Sequence, residues 1–120
     1  MPHVVTLETA RKLKEVGIEF PNSEFWYEED GILCYRTEVN ARFIDSPAPI
    51  LTELLERLPA IIKVDGITGQ LDFWKHESGA WHIQYLANEK YRLELFASLN
   101  PCEAAAQLLL TLKEKGLLNE

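Results

Sequence analysis

The sequence is poor in the features that mark several large classes of protein. Its two cysteines, Cys34 and Cys102, are too far apart for a C-x-x-C redox pair and too few for a four-ligand zinc site, and both are expected to be reduced and buried. No apolar run reaches the ~20 residues that span a bilayer. The chain also starts without the basic and long apolar segments of a secretory signal. These features predict a cytoplasmic protein.

Positive charge is also scarce. Twelve basic side chains stand against nineteen acidic ones, for a net charge of -7. Such a chain repels phosphate backbones and anionic lipids, so nucleic acid and membranes are not expected as partners. The hydrophobic fraction of 47% and the charged fraction of 26% are typical of globular proteins. We therefore predict a single domain over residues 1–120.

Two segments in the first half have the periodicity and end signals of helices. Thr6 can cap the first helix, and Gly17 can end it in a left-handed conformation, with Ile18 contacting the last turn. The second helix is predicted over residues 50–58. It follows two prolines in Ser46-Pro47-Ala48-Pro49, and Pro59 stops it.

The third predicted helix, from Pro101 to Lys115, has the best-defined ends. Asn100 is expected to cap it and Glu103 to complete a capping box, while Gly116 ends it and Leu117 closes the last turn. Three leucines should face inward from this helix: Leu108, Leu109 and Leu112.

A β-hairpin is predicted around the dipeptide Asp30-Gly31, which favours a two-residue turn with positive backbone angles. This turn would place Trp26 opposite Tyr35 and Tyr27 opposite Cys34. Residues 38–45 have no clean period and are expected to form a loop or an extension of the hairpin. Residues 60–64 are apolar and β-branched, so they predict another strand, and residues 65–69 a turn after it.

The stretch from Leu71 to Phe96 alternates with a period of two over three successive strands. Its predicted core face consists of Leu71, Phe73, Trp81, Ile83, Tyr85, Tyr91, Leu93 and Leu95. A three-residue turn at 77–79 would pair Phe73 with Ile83 and Trp74 with His82. A second three-residue turn at 88–90 would pair Ile83 with Leu95, Tyr85 with Leu93 and His82 with Phe96.

These elements predict an α+β fold in the order α-β-β-α-β-β-β-β-α. We expect one antiparallel sheet of about five or six strands, with the three helices mainly on one face. The order of the strands across the sheet stays open.

No catalytic or cofactor-binding motif is present in the sequence, so neither catalytic residues nor a cofactor are predicted. His76 and His82 lie on one predicted face, and Asp72 or Glu94 could add a metal ligand, but their spacing matches no metal motif and favours a solvated face. Cys102 lies in the first turn of a helix, where the dipole can favour a thiolate. The absence of a partnered base favours a buried, structural thiol.

Four segments, taken in order, resemble a family of small uncharacterised proteins of bacteriophages and mobile elements, often from Bacteroidetes bacteria. They are residues 5–17, Phe25-Trp26-Tyr27, Ser46-Pro47-Ala48-Pro49 before Leu54-Leu55, and residues 100–106. The family more often has a threonine cap where this chain has Ala48-Pro49-Ile50. The resemblance implies an α+β domain in a cytoplasmic setting and no activity. It favours a non-enzymatic interaction or accessory protein; the alternative is an acidic inhibitor that mimics nucleic acid.

The predicted outer face of the central strands is unusually apolar for a solvated surface. Trp74, His82 and Phe96 would form one row across it, with Leu86 nearby. Such a row needs a cover, which could be a second copy of the chain in a twofold homodimer or another protein. The alternative cover is the 38–45 segment or the N-terminal segment of the same chain.

Overall fold

A computed structural model describes residues 3–38, 44–88 and 91–118, and within them the chain forms three helices and seven strands. The α+β class is confirmed. The elements follow in the order α1 (Leu7–Glu15), β1 (Phe25–Glu28), β2 (Leu33–Tyr35), β3 (Ile44–Pro47), α2 (Leu51–Arg57), β4 (Ile61–Val64), β5 (Ile67–Lys75), β6 (Trp81–Asn88), β7 (Tyr91–Ser98) and α3 (Pro101–Glu114).

The strands form two antiparallel sheets, so the predicted single sheet is wrong. The small sheet has the order β2-β1-β3, and the four-stranded sheet has the order β4-β5-β6-β7. The predicted element order lacked β3, whose residues span the end of the 38–45 segment and the Ser46-Pro47 dipeptide. Because β3 pairs with the side of β1 that β2 leaves free, β1 has no edge on which a later strand could extend the sheet.

Helix α3 lies at the centre of the packing. It contacts β6 and β7 as well as α1 and α2. Successive helical residues point about 100° apart, so the burial of three consecutive alanines requires neighbours on several sides of the helix. Its small side chains allow these neighbours to approach closely. The buried residues of α3 are Pro101, Cys102, Ala104, Ala105, Ala106, Leu108, Leu109 and Leu112, which confirms the three predicted inward leucines.

The face of the four-stranded sheet that α3 covers is called the inner face here. Ile83 and Tyr85 are fully buried on it, and Leu71 and Phe73 pack against the same core, as predicted. The hydroxyl of Tyr85 donates to the carbonyl of Pro59 at 2.5 Å, which ties the sheet to the end of α2. Burial raises the pKa of this hydroxyl, so it remains a donor. The predicted core side chains of residues 91 and 93 lie outside the described side chains.

The ends of α1 and α3 follow the local signals in the sequence. Thr6 Oγ1 accepts from the amide of Thr9 at 3.3 Å. Asn100 Oδ1 accepts from the amide of Cys102 at 2.9 Å. Gly17 and Gly116 both have positive φ angles, 85° and 71°, and each is followed by a residue whose amide bonds back into the last turn. The predicted caps and stops are therefore confirmed.

The predicted capping box of α3 is wrong. The amide of Asn100 donates to Ser98 Oγ at 3.1 Å, so it has a partner other than Glu103. Glu103 reaches the start of α1 instead, where its carboxylate accepts from the amide of Thr6 at 2.5 Å and from the hydroxyl of Thr9 at 2.7 Å. One carboxylate of α3 thus caps another helix.

The first hairpin is offset by one residue from its prediction. Phe25 pairs with Tyr35 and Trp26 with Cys34. Of the turn residues only Gly31 has a positive φ angle, 87°, whereas a two-residue turn of the predicted type needs two such residues. The amide of Glu28 donates to the carbonyl of Ile32, so the turn between these two residues holds three residues, 29–31. In this register Trp26 is half-buried and Tyr35 is exposed.

The second Asp-Gly pair forms the tight turn that the first does not. Asp65 and Gly66 have φ angles of 51° and 81°, and Val64 pairs directly with Ile67. The turn is therefore shorter than the predicted 65–69 segment, and β5 starts at Ile67.

The β5–β6 register is as predicted, but the β6–β7 register is not. Phe73 pairs with Ile83 and Trp74 with His82. On the other side, β6 extends through residue 88 and β7 begins at residue 91, which leaves two connecting residues instead of three. An even number of connecting residues reverses the parity of β7, which means that each of its side chains lies on the face opposite to the predicted one. Ile83 therefore pairs with Phe96, and His82 pairs with Ala97. Phe96 is therefore on the inner face.

Candidate functional site

The site is the outer face of the four-stranded sheet, on the side opposite α3. In the described part of the chain, the extensive contacts of this sheet with other elements are those of β6 and β7 with α3. No described helix lies over the outer face. Pairing places these described side chains on it: Ile61, Lys63, Thr68, Gln70, Asp72, Trp74, His82, Gln84, Leu86, Leu95 and Ala97.

Aromatic rings stack at one end of the outer face. The rings of Trp74 and His82 are 4.9 Å apart between centroids, with an angle of 25° between their planes. His76 adds a tilted ring 5.5 Å from that of His82. The predicted row of Trp74 and His82 is therefore present, but Ala97 takes the place that was predicted for Phe96. A stack of flat rings offers a broad contact surface that loses little side-chain entropy on binding.

The outer face also carries polar atoms that lack partners. Gln84 is only 3% exposed, and its Nε2 donates to Asp72 Oδ2 at 3.1 Å. Within the described structure, neither Gln84 Oε1 nor His82 Nδ1 has a hydrogen-bond partner, although both atoms are buried. A buried polar atom without a partner costs about 1–3 kcal/mol. The folded chain therefore keeps an unfavourable feature on this face, which a bound group could relieve.

Apolar side chains complete the outer face. Ile61 and Leu95 are 54% and 38% exposed, and Leu86 is half-buried. Leu95 was predicted to be in the core, and this prediction is wrong because the reversed parity moves the residue to the outer face. Sequence reasoning also missed Gln84 and Ile61. The alternation His82-Gln84-Leu86 along β6 contained the signal for Gln84.

Metal binding receives no support from the described residues. No group of three or more His, Cys, Asp or Glu side chains lies close enough together to hold an ion in the ranges 3–38, 44–88 and 91–118. His76 Nδ1 instead lies 2.9 Å from Ser78 Oγ and accepts from the amide of Ser78 at 3.1 Å, within its own turn. The side chain of Glu94, the other predicted ligand candidate, lies outside the described side chains.

Cys102 is fully buried, as predicted. Its Sγ donates to the carbonyl of His3 at 3.2 Å, and burial raises the pKa of the thiol to about 11. The group is therefore protonated near neutral pH and is a poor nucleophile. Cys34 is only half-buried, so the prediction of its burial is wrong, because it lies on an edge strand of the small sheet. Partial burial and the nearby Glu28 raise its pKa as well.

Replacing the thiol of Cys102 is expected to have a small effect. Cys102→Ala should lower the free energy of unfolding by at most about 1 kcal/mol, because only the packing of one sulfur is lost. Urea unfolding followed by circular dichroism measures this change. A variant that lost partner binding at an unchanged melting temperature would show instead that the thiol has a functional role.

Open grooves also lie elsewhere on the described surface. One of about 280 Å³ is lined by Lys14, Trp26 and neighbours, and one of about 520 Å³ lies near His3 and Cys102. Lys14 Nζ donates to the carbonyl of Asp45 at 2.6 Å, and Trp26 Nε1 donates to that of Ser23 at 2.9 Å. These two polar groups of the first groove are thus engaged within the chain, in contrast to Gln84 Oε1 and His82 Nδ1 of the outer face.

No known protein family, curated protein or solved structure matches this chain. The resemblance to proteins of phages and mobile elements therefore stays a prediction. In the described residues, no helix combines the length and the apolar character needed to cross a membrane.

Proposed function

We propose that the protein is a non-enzymatic interaction protein, or accessory factor, that binds another protein through the outer face of the four-stranded sheet. The observation that carries this proposal is the combination, on a face that no described helix covers, of the Trp74–His82 ring stack with two buried polar atoms that have no partner. A cytoplasmic location and an origin in phages or mobile elements belong to the same proposal.

The described chemistry supports a role without catalysis. Cys102 is a protonated thiol inside the core, and His76 is held within its own turn. A nucleophile needs an adjacent base and an accessible position, and Cys102 lacks the second of these.

The alternative function, an acidic inhibitor that mimics nucleic acid, has weaker support. Mimicry requires carboxylates that are displayed along one side, but several carboxylates are engaged within the chain. Asp45 forms an ion pair with Arg11 at 2.9 Å, Glu53 accepts from the amide of Ile50 at 2.9 Å, and Glu103 caps α1. These three acidic groups therefore stabilise the fold, and their bonds reduce the charge that the surface can present.

The proposal predicts that binding depends on Trp74. Immobilised protein should retain a specific partner from a host lysate, and Trp74→Glu should weaken retention roughly tenfold or more because it removes a large aromatic contact. The matched control is Ile32→Glu, which places the same charge on an exposed apolar position outside the four-stranded sheet. Equal retention by both variants, with unchanged melting temperatures, would contradict the proposal. So would turnover of a phosphoester or amide substrate by the purified protein.

The same variants test self-association through the outer face. If the partner is a second copy, light scattering at roughly tens of micromolar should show a dimer that Trp74→Glu converts to a monomer. Phe96 is unsuitable for this test because its side chain packs against the core.

A further inference from the structure

We propose, building on the function proposed above, that the partner places an arginine side chain against Asp72 and Gln84 on the outer face. The site would thus recognise a guanidinium group on a basic segment of a protein. It would hold this group through two oxygen acceptors and an adjacent aromatic ring.

The acceptors of this site are defined by the β5–β6 pairing. Asp72 and Gln84 are directly opposite each other, and Gln84 Nε2 uses one oxygen of the Asp72 carboxylate. The amide must present its nitrogen to the carboxylate, because two oxygen acceptors cannot bond to each other. Gln84 Oε1 therefore points away from Asp72 and is left without a donor in the described structure.

Asp72 belongs to neither of two ion pairs between described side chains, Arg11 with Asp45 and Lys12 with Glu8. A half-buried carboxylate beside an orphaned amide oxygen forms a site that attracts a donor with positive charge.

A guanidinium group fits these acceptors better than other cations do. It is planar and carries five N–H donors, so it can bond to a carboxylate and an amide oxygen together, and it stacks on aromatic rings. Trp74 lies two residues beyond Asp72 on the same strand and face, within reach of such a group. An ammonium group is a point charge that does not match this flat arrangement.

The charge of the whole chain favours a basic partner over a second copy. At a net charge of -7, one copy repels another but accelerates the approach of a basic segment. A second copy would also present the same acceptors without donors across a twofold axis.

Because Gln84 Oε1 is shielded in the free chain, a neighbouring side chain has to rotate when the partner binds.

The test is a nuclear magnetic resonance titration of the full chain with N-acetyl-arginine amide. We expect the side-chain amide of Gln84 and the indole of Trp74 to shift. N-acetyl-citrulline amide, which has a similar shape but no charge, should bind roughly tenfold more weakly. Asp72→Asn should weaken arginine binding by a similar factor, whereas Asp65→Asn, in an exposed turn, should leave it unchanged.

Equal shifts with both compounds, shifts confined to other surfaces, or unchanged binding by Asp72→Asn would each overturn the inference. The proposed function is tested separately. A partner whose retention depends on Trp74 but not on Asp72 would support the binding surface and refute the arginine site. A dimer that dissociates in Trp74→Glu would identify a second copy as the occupant, and it would refute the arginine site too.

Discussion

Phe96→Glu is expected to destabilise the protein strongly, whereas Leu95→Glu, one residue earlier, should be nearly neutral. Phe96 is half-buried and packs against the main core from the inner face, so the substitution removes apolar burial and places a carboxylate against apolar side chains. The combined cost is about 4 kcal/mol or more. This is a large part of the stability of a small domain, roughly 5–15 kcal/mol. Leu95 is 38% exposed on the outer face, and a charge there remains in contact with water.

The two variants test the register of β7 directly. Urea unfolding and thermal melts should show a large loss of stability for Phe96→Glu and a change within about 1 kcal/mol for Leu95→Glu. The reverse result would mean that Leu95 faces the core and that the register predicted from the sequence is right. Under that register, Phe96 would lie on the outer face, and Phe96→Glu would dissociate a dimer without unfolding the protein.

Glu103→Ala should lower the free energy of unfolding by about 2–3 kcal/mol, since hydrogen bonds to a charged group contribute more than neutral ones. The carboxylate accepts from the amide of Thr6 and the hydroxyl of Thr9, so its removal leaves a donor at the start of α1 without its partner. It also removes the negative charge that favours this end of the helix dipole. Chemical denaturation with matched slopes for both proteins measures the change.

The matched control is Glu114→Ala, at the exposed end of the same helix, which should change stability by less than about 0.5 kcal/mol. Hydrogen exchange should locate the effect, with the amides of α1 losing protection before those of α3 in Glu103→Ala. If both helices lost protection equally, or if Glu103→Ala matched the control, the contact between Glu103 and α1 would not stabilise the fold.

The features that the sequence predicted correctly depend on residues that are close together along the chain. Thr6, Gly17, Asn100 and Gly116 act within one helical turn, so their side chains and backbone angles decide the helix ends wherever the helix packs. The β5–β6 pairing was predictable for the same reason, because Gly79 has the left-handed φ angle, 93°, that its three-residue turn needs.

The tertiary structure decided the features in which distant groups compete for one partner. The carboxylate of Glu103 could have accepted from the amide of Asn100, but that amide donates to Ser98 Oγ. The carboxylate accepts instead from the amide of Thr6, at the start of α1. The position of α1 cannot be predicted from the residues near Glu103, because α1 is almost a hundred residues away along the chain.

The composition of the outer face also depends on tertiary structure that the local sequence does not determine. A difference of one residue in the β6–β7 connection exchanges the positions of Leu95 and Phe96, because side chains alternate strictly along a strand. The alternation itself could be read from the sequence, since it follows from the geometry of every strand. Which side chains meet across the sheet, and which polar atoms stay without a partner, depends on the pairing of whole strands and on the helix that covers one face of the sheet.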